Sequence, residues 1–198
     1  MEKTTEDNKL ILTEDHRYIL DGREIPGVTR VIRRFCPAFR VDDWYLERGK
    51  AVHSGIELAL RGELDPESVD DRIKGRIEAA MLFLAENNLT PVTLEAGMAS
   101  RSFRFAGTLD CIAVDPKGKQ IICDWKGSVD AASQVQLGGY RVLARANGYS
   151  PSAVVAVETR DDGSYKAHWT LGRELLRAGS VFLNMLSVAN WQDAEKIK

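Results

Sequence analysis

The chain has no apolar run near the ~18 residues that a bilayer-spanning helix requires, and Met1 to Lys9 is charged rather than a basic stretch leading into an apolar block. These absences exclude an ordinary membrane anchor or secretory leader and predict a soluble, intracellular, cytoplasmic protein. Cysteine is scarce: Cys36, Cys111 and Cys123 are odd in number, far apart and without a C-x-x-C pair. That excludes a disulfide framework and a zinc module, and falls one short of a four-cysteine iron–sulfur cluster. Charge of one sign is lacking too. A net charge of −2 gives no global attraction for a polyanion. There is no internal repeat and no low-complexity tract. What is present is 198 residues with 44% hydrophobic content, enough for one substantial core and short for two independent domains. Local charge is uneven: Arg30, Arg33, Arg34, Arg40 and Arg48 crowd one early segment, and acidic residues dominate from Glu63 to Asp71.

Hydrophobic spacing predicts the elements. Lys9 to Ile25 reads as a β-hairpin or two short strands, with Asp21-Gly22 as the turn. Val28 to Phe35 reads as a short helix stopped by Pro37, with Arg30, Arg33 and Arg34 on or beside its outer face. Trp44 to Leu60 and Val69 to Asn87 carry apolar stripes near a 3.6-residue period, joined by a loop over Glu63 to Glu67. Val92 to Ser100, Phe103 to Val114 and Lys119 to Lys126 are strand-like and form a meander, the last two strands joined by the turn Asp115-Pro116-Lys117-Gly118. A helix over Ala131 to Asn147, strands over Ala153 to Thr159 and Tyr165 to Leu171, and a helix over Arg173 to Ala189 complete an α/β sandwich around a mixed sheet.

The chemistry lies in Asp110 and in Asp124-Trp125-Lys126. Strand side chains alternate faces, so Asp124 and Lys126 share one side and Cys123 and Trp125 the other. Antiparallel pairing through the Asp115 to Gly118 turn brings Asp110 to the same end of the sheet. Two carboxylates can hold Mg²⁺ through hard oxygen ligands, and a lysine can orient water or stabilise a pentacovalent phosphorus. Phosphodiester hydrolysis needs that set. An aspartate and a lysine two apart on a strand are also an ordinary surface ion pair, which contributes little. The apolar run Ile121-Ile122-Cys123 before Asp124 favours the functional reading, because it marks a central strand whose charges sit at its end.

The sequence resembles the RecB-like and phage-exonuclease branch of the PD-(D/E)XK nuclease superfamily. Gly27-Val28-Thr29 resembles the "S/G-V-T" start, Arg48-Gly49-Lys50-Ala51-Val52-His53 the "G-x-x-x-H" helix motif, Gly107-Thr108-Leu109-Asp110 with Asp124-Trp125-Lys126 the "G-x-x-D … D-W-K" core, and Gln136 to Tyr140 the "Q-x-x-x-Y" helix. The resemblance implies a restriction-endonuclease-like α/β core, with a mixed β-sheet flanked by helices, in one nuclease domain over 1–198. An N-terminal hairpin and helical segment (about 9–90) would pack on the core (about 91–189). It implies Asp110 and Asp124 as metal-binding carboxylates, Lys126 as the catalytic lysine, and His53 as a metal ligand or its support. Glu95 matches a strand glutamate that relatives place near the metals. Gln136 and Tyr140 would contact DNA or brace the site; Arg30, Arg33 and Arg34 are further candidate DNA contacts from their crowding on one segment rather than from the resemblance. Many relatives read D-W-K-T-G, whereas this chain continues Lys126-Gly127-Ser128.

The implied activity is a Mg²⁺-dependent DNA exonuclease, with Mn²⁺ able to substitute, serving phage or prophage recombination or processing. Its implied partners are DNA and a single-strand annealing or single-strand binding protein. A restriction-type or structure-specific endonuclease uses the same residues, and a non-catalytic DNA-binding subunit is the reading from another class. Gly49, four residues before His53, favours a functional histidine, since a glycine lets another backbone or a phosphate come close. His16 and His168 read as structural, Glu57 and Glu78 as surface charges, Trp125 and Trp169 as core. Trp44 and Tyr45 have the capacity to stack on bases, with packing the favoured use. Gln136 is preferred over Gln134 for the amide role, being the one spaced four residues before Tyr140.

Overall fold

A computed structural model describes residues 10–36 and 42–196. Five strands form the main sheet in the order β4-β5-β6-β7-β8: β4 (Thr90–Ser100), β5 (Phe105–Val114), β6 (Gln120–Lys126), β7 (Ala153–Thr159) and β8 (Tyr165–Leu171). Neighbours are antiparallel except β6 and β7, which run parallel and are joined across one face by helix α4 (Ala131–Ala146). That parallel pair needs a crossover, and the helix supplies it. The β5–β6 turn closes on Asp115, whose Oδ1 accepts from the backbone N–H groups of Lys117 and Lys119, both at 2.8 Å.

Helices cover both faces, so the central strands are apolar on both sides. On one face α1 (Val28–Phe35), α4 and α5 (Gly172–Ala194) enclose Phe105, Leu109, Ile122, Val154 and Phe182. On the other, α2 (Asp43–Arg61) and α3 (Asp71–Glu86) enclose Cys111, Ile121, Cys123, Trp125 and Val157. A Cβ at Gly138 would collide with the backbone of Ala178, so α4 and α5 cross with their backbones touching. Asp42 and Asp70 accept from the backbone N–H two residues on and start α2 and α3, and Asp130 with Ser133 forms a capping box that starts α4 directly after β6.

Three expectations are corrected. The amino-terminal segment forms a three-stranded antiparallel sheet, β1 (Leu10–Leu12), β2 (Tyr18–Leu20) and β3 (Arg23–Ile25): besides the expected Asp21-Gly22 turn, a second turn closes where the Thr13 N–H donates to Arg17 O at 2.9 Å and His16 takes positive φ, adding β1. Helix α5 runs to Ala194 rather than Ala189, its last turns held where Arg34 donates to Ala189 O at 2.9 Å and pairs with Asp193 at 2.6 Å. Trp169 remains 37% exposed on the edge strand β8, unlike Trp125, which is core. Helix α1 ends at Phe35 with Cys36 as its cap, and Pro37, its predicted stop, lies outside the described residues. No helix among the described residues is long and apolar enough to cross a membrane.

Candidate active site

The site forms where β5 and β6 part. Their ladder runs from Val114↔Gln120 to Cys111↔Cys123 and goes no further, although β5 continues along β4 and β6 along β7. In the gap the Asp110 carboxylate takes the place of a backbone partner, its Oδ2 accepting the Trp125 N–H at 2.8 Å. A second irregularity coincides with the first. Leu94 and Cys111 pack on the α2–α3 side, while Ala96 and Leu109, two residues along each strand, pack on the α4–α5 side. Both strands therefore switch faces between these pairs, at Glu95 and Asp110. Glu95 adopts φ +43°, a left-handed conformation that costs a non-glycine residue about 1–2 kcal/mol. Such strain persists where the surroundings over-determine it, as at ligand sites.

The result is a compact set of charges. His53, from the middle of α2, brings Nδ1 to 3.4 Å from Asp110 Oδ2 and 4.0 Å from Glu95 Oε1. One ligand atom from each of His53, Glu95 and Asp110 lies within 4.8 Å of the other two, a span that one cation can bridge. Beside them Lys126 Nζ is 2.8 Å from Asp124 Oδ2. That contact is close but not directed as a hydrogen bond, and no other donor among the described residues reaches this buried oxygen. Asp124 is 1% exposed and Asp110 8%.

Burial and mutual repulsion set the protonation states. Burial, followed by the charge of Asp110, pushes Glu95 up to about 7. Burial raises Asp124 to about 6 against the pull of Lys126. For His53 burial works downward, but the charge and hydrogen bond of Asp110 outweigh it and bring the ring up to about 9. The same pair holds Asp110 below the ordinary carboxylate range despite its burial. Lys126 is likewise raised, since Asp124 and Asp110 overcome its desolvation. Carboxylates this enclosed, one with an orphaned oxygen, fit a site completed by a divalent cation with hard oxygen ligands.

Gln136 and Tyr140 stand one turn apart on α4, with Gln136 Nε2 donating to the Tyr140 hydroxyl at 2.9 Å and to Thr29 Oγ1 of α1 at 3.4 Å. Tyr140 is buried against Gly107, so its ring braces β5 and α1, whereas Gln136 is half-buried at the surface and Gln134 is exposed. The three arginines of α1 divide. Arg34 is tied to α5, Arg30 pairs with Glu24 at 2.5 Å, and Arg33 is exposed with no ion pair among the described residues. Arg34 is exposed beside the outer face, as expected, but its guanidinium is engaged by α5. Arg40 lies outside the described residues. Arg48 is half-buried, bonded to Arg72 O and Asp161, which Arg76 shares. His16 sits in the β1–β2 turn and His168 pairs with Glu158 at 3.2 Å. Glu78 is exposed, and Glu57 is bound to Arg61, its charge still reaching Glu95. Trp44 and Tyr45 are 44% and 59% exposed, against the packing expected of them. The Asp110 to Trp125 bond and the Glu95 backbone were missed by sequence reasoning and carry no sequence signal, because alternation is what they break.

Among solved structures the chain is similar to LHK-Exo in complex with dAMP, at 14% identity, covering 88% of this chain and 95% of that one with a TM-score of 0.43. It is also similar to the alkaline exonuclease LHK-Exo from Laribacter hongkongensis, at 13% identity over 87% and 94% of the two chains with a TM-score of 0.41. No curated protein matches the sequence. The family profile described as the PD-(D/E)XK nuclease superfamily matches residues 57–168, more than half of the chain, a span that holds Glu95, Asp110, Asp124, Lys126, Gln136 and Tyr140 and begins just after His53. With the sheet, the parted strands and that match together, the chain belongs to the PD-(D/E)XK nuclease superfamily.

Proposed function

We propose that the protein is a divalent-cation-dependent deoxyribonuclease acting as an exonuclease in DNA recombination or processing, with Mg²⁺ as the working ion and Mn²⁺ as a substitute. The observation that carries this reading is the convergence of His53, Glu95 and Asp110 on one point beside the Asp124–Lys126 pair, at the opening between β5 and β6. His53, Glu95, Asp110 and Asp124 would hold the cation. It would supply positive charge against the negative charge that builds on the phosphate oxygens, and make water more acidic.

The chain's own residues then have distinct tasks. Lys126, kept protonated by Asp124 and Asp110, donates to a phosphate oxygen as that oxygen gains charge. Asp110 fixes the register of the opening through the Trp125 N–H and holds the His53 ring by Nδ1. Tyr140 and Gln136 brace α4 against α1, and Gln136 and Arg33 remain accessible to the sugar–phosphate backbone.

The test is digestion of end-labelled linear DNA beside a covalently closed circle, with Mg²⁺, Mn²⁺ or EDTA. Loss of label from linear DNA, an intact circle and no reaction in EDTA are expected. A nicked circle would make it an endonuclease. Unchanged DNA at high protein concentration would make it a binding subunit.

A further inference from the structure

From His53 at the site, α2 runs back through its amino-terminal half toward Asp43. At about 3.6 residues per turn, Tyr45, Gly49 and His53 follow one another along one stripe, on the same side of the helix as the buried Val52 and Ile56. That side turns into the core over the second half of α2, yet over the first half it faces open space: Tyr45 and Gly49 are both exposed.

Gly49 is unexplained by packing among the described residues. A glycine inside a helix is a net loss of stability against alanine. At Gly55, Gly75 and Gly138 the reason is visible, since a Cβ would strike Ile77, the backbone of Asp161 or the backbone of Ala178. At Gly49 a Cβ would meet nothing within 4 Å among the described residues, and its φ is an ordinary helical one. Space left bare one turn from His53, at a cost in stability, is space for something outside the chain.

Two turns from His53 stands an aromatic ring with its position fixed. Trp44 meets Tyr45 edge-on at 4.8 Å between ring centroids, Arg48 lies over the Trp44 ring at 5.4 Å, and Arg48 is itself tied to Arg72 O and Asp161. Tyr45 is thus held from behind and presents itself to solvent. Along the helix it lies about 12 Å from His53, the length of three to four stacked nucleotides at about 3.4 Å each.

We propose that Gly49 and Tyr45 form a strand-guiding surface: the sugar–phosphate backbone of the strand being cut crosses α2 at Gly49, and an unpaired base a few nucleotides away stacks on Tyr45. The proposal rests on the nuclease reading and adds to it a substrate class, a single strand or a frayed end. Stacking on an aromatic ring tolerates any base.

The decisive measurement is the Kd of a fluorescein-labelled single-stranded oligonucleotide in EDTA, where no cleavage runs, paired with Tm. Gly49→Ala is expected to raise Tm by ~2 °C while weakening binding ~5-fold, and Gly49→Leu to weaken it ~10-fold or more. Tyr45→Ala should weaken binding ~10-fold and Tyr45→Phe leave it near wild type. A structural glycine would not move Tm and Kd in these opposite senses. Unchanged binding in Gly49→Leu and Tyr45→Ala overturns the proposal, as does a Tm that falls in Gly49→Ala. Cleavage of the same oligonucleotide and of bis(p-nitrophenyl) phosphate with Mg²⁺ is measured beside it. Failure of the wild-type protein to cut either would sink the nuclease reading, with the binding comparison still deciding the strand surface.

Discussion

The two ends of the β5–β6 pair make opposite use of the same strands. From Val114 to Cys111 the ladder is closed, and Cys111, Ile112, Ala113, Ile122 and Cys123 are all fully buried among apolar neighbours. Past Cys111 and Cys123 the strands separate, and the charged side chains that follow are Asp110 and Asp124, nearly as buried, and the half-buried Lys126. Burial of apolar surface stabilises, at roughly 25 cal/mol per Å², whereas each enclosed carboxylate costs desolvation that its partners only partly return. The raised pKa values of Glu95 and Asp124 record that imbalance. One end of the pair holds the fold together, and the other end is held in place by it.

The comparison breaks most sharply with one substitution at each end. Lys126→Ala is expected to lower kcat for DNA cleavage by about 10²–10³-fold, because it removes a donor to developing charge, with little change in Tm at pH 5, where Asp124 is protonated and no longer depends on the ammonium. Ile122→Ala, four residues away on the same strand, should do the reverse. It leaves a cavity in a site with no exposed surface and is expected to cost about 3 kcal/mol in urea unfolding, with kcat per folded molecule preserved. A large loss of stability in Lys126→Ala would show that the charged end is part of the scaffold.

Asp124→Asn sharpens the contrast. Asp124 is enclosed, its Oδ2 lacks a directed donor, and burial raises it to about 6. The folded state therefore holds a proton here more tightly than the unfolded chain does. This carboxylate destabilises the cation-free protein above about pH 6. The neutral amide should raise the stability of the protein in EDTA at pH 8 by about 1–2 kcal/mol while abolishing cleavage. Equal or lower stability in the variant would mean that the Lys126 ion pair already offsets the desolvation.

Most of this organisation was legible in residue spacing, and the part that was not has a common physical cause. The meander, the crossover helix and the last two strands follow from period-two and period-3.6 apolar patterns, which is why β7 and β8 fall on their predicted bounds. Asp124 and Lys126 share a face for the same reason. Asp110 and Glu95 meet because two neighbouring strands abandon alternation at the same place, and a pattern cannot announce its own interruption. Arginine roles were similarly hidden. Arg34 and Arg48 look like Arg33 in sequence, but their partners Ala189, Asp193, Asp161 and Arg72 are distant in the chain. Tyr45 lies on a stripe that is core two turns later, but the first half of α2 is exposed and leaves it open.

The charged end also differs from the apolar end in its response to pH. Glu95 is raised from 4.5 to about 7, so the folded state binds its proton more tightly and stability falls as pH rises through that window. His53 is raised from 6.5 to about 9, so its contribution is complete below 6.5 and is lost as pH climbs through 9. Both trends lower the stability of the cation-free protein toward alkaline pH. A cation reverses the sense, because it must displace the same protons. Between 7 and 9 only His53 gives up a proton on loading, between 6 and 7 Glu95 joins it, and below 6 Asp124 adds a third. Mn²⁺ affinity measured by calorimetry should therefore steepen below pH 7, approaching two proton equivalents near pH 6, and tighten about tenfold per unit above pH 7. Glu95→Gln should remove the steeper limb and leave the shallower one. An affinity that is flat from pH 6 to 9 would mean that neither group yields a proton to a cation. The charged end of β5 and β6 would then be a closed ion-pair cluster, as much a part of the scaffold as Ile122.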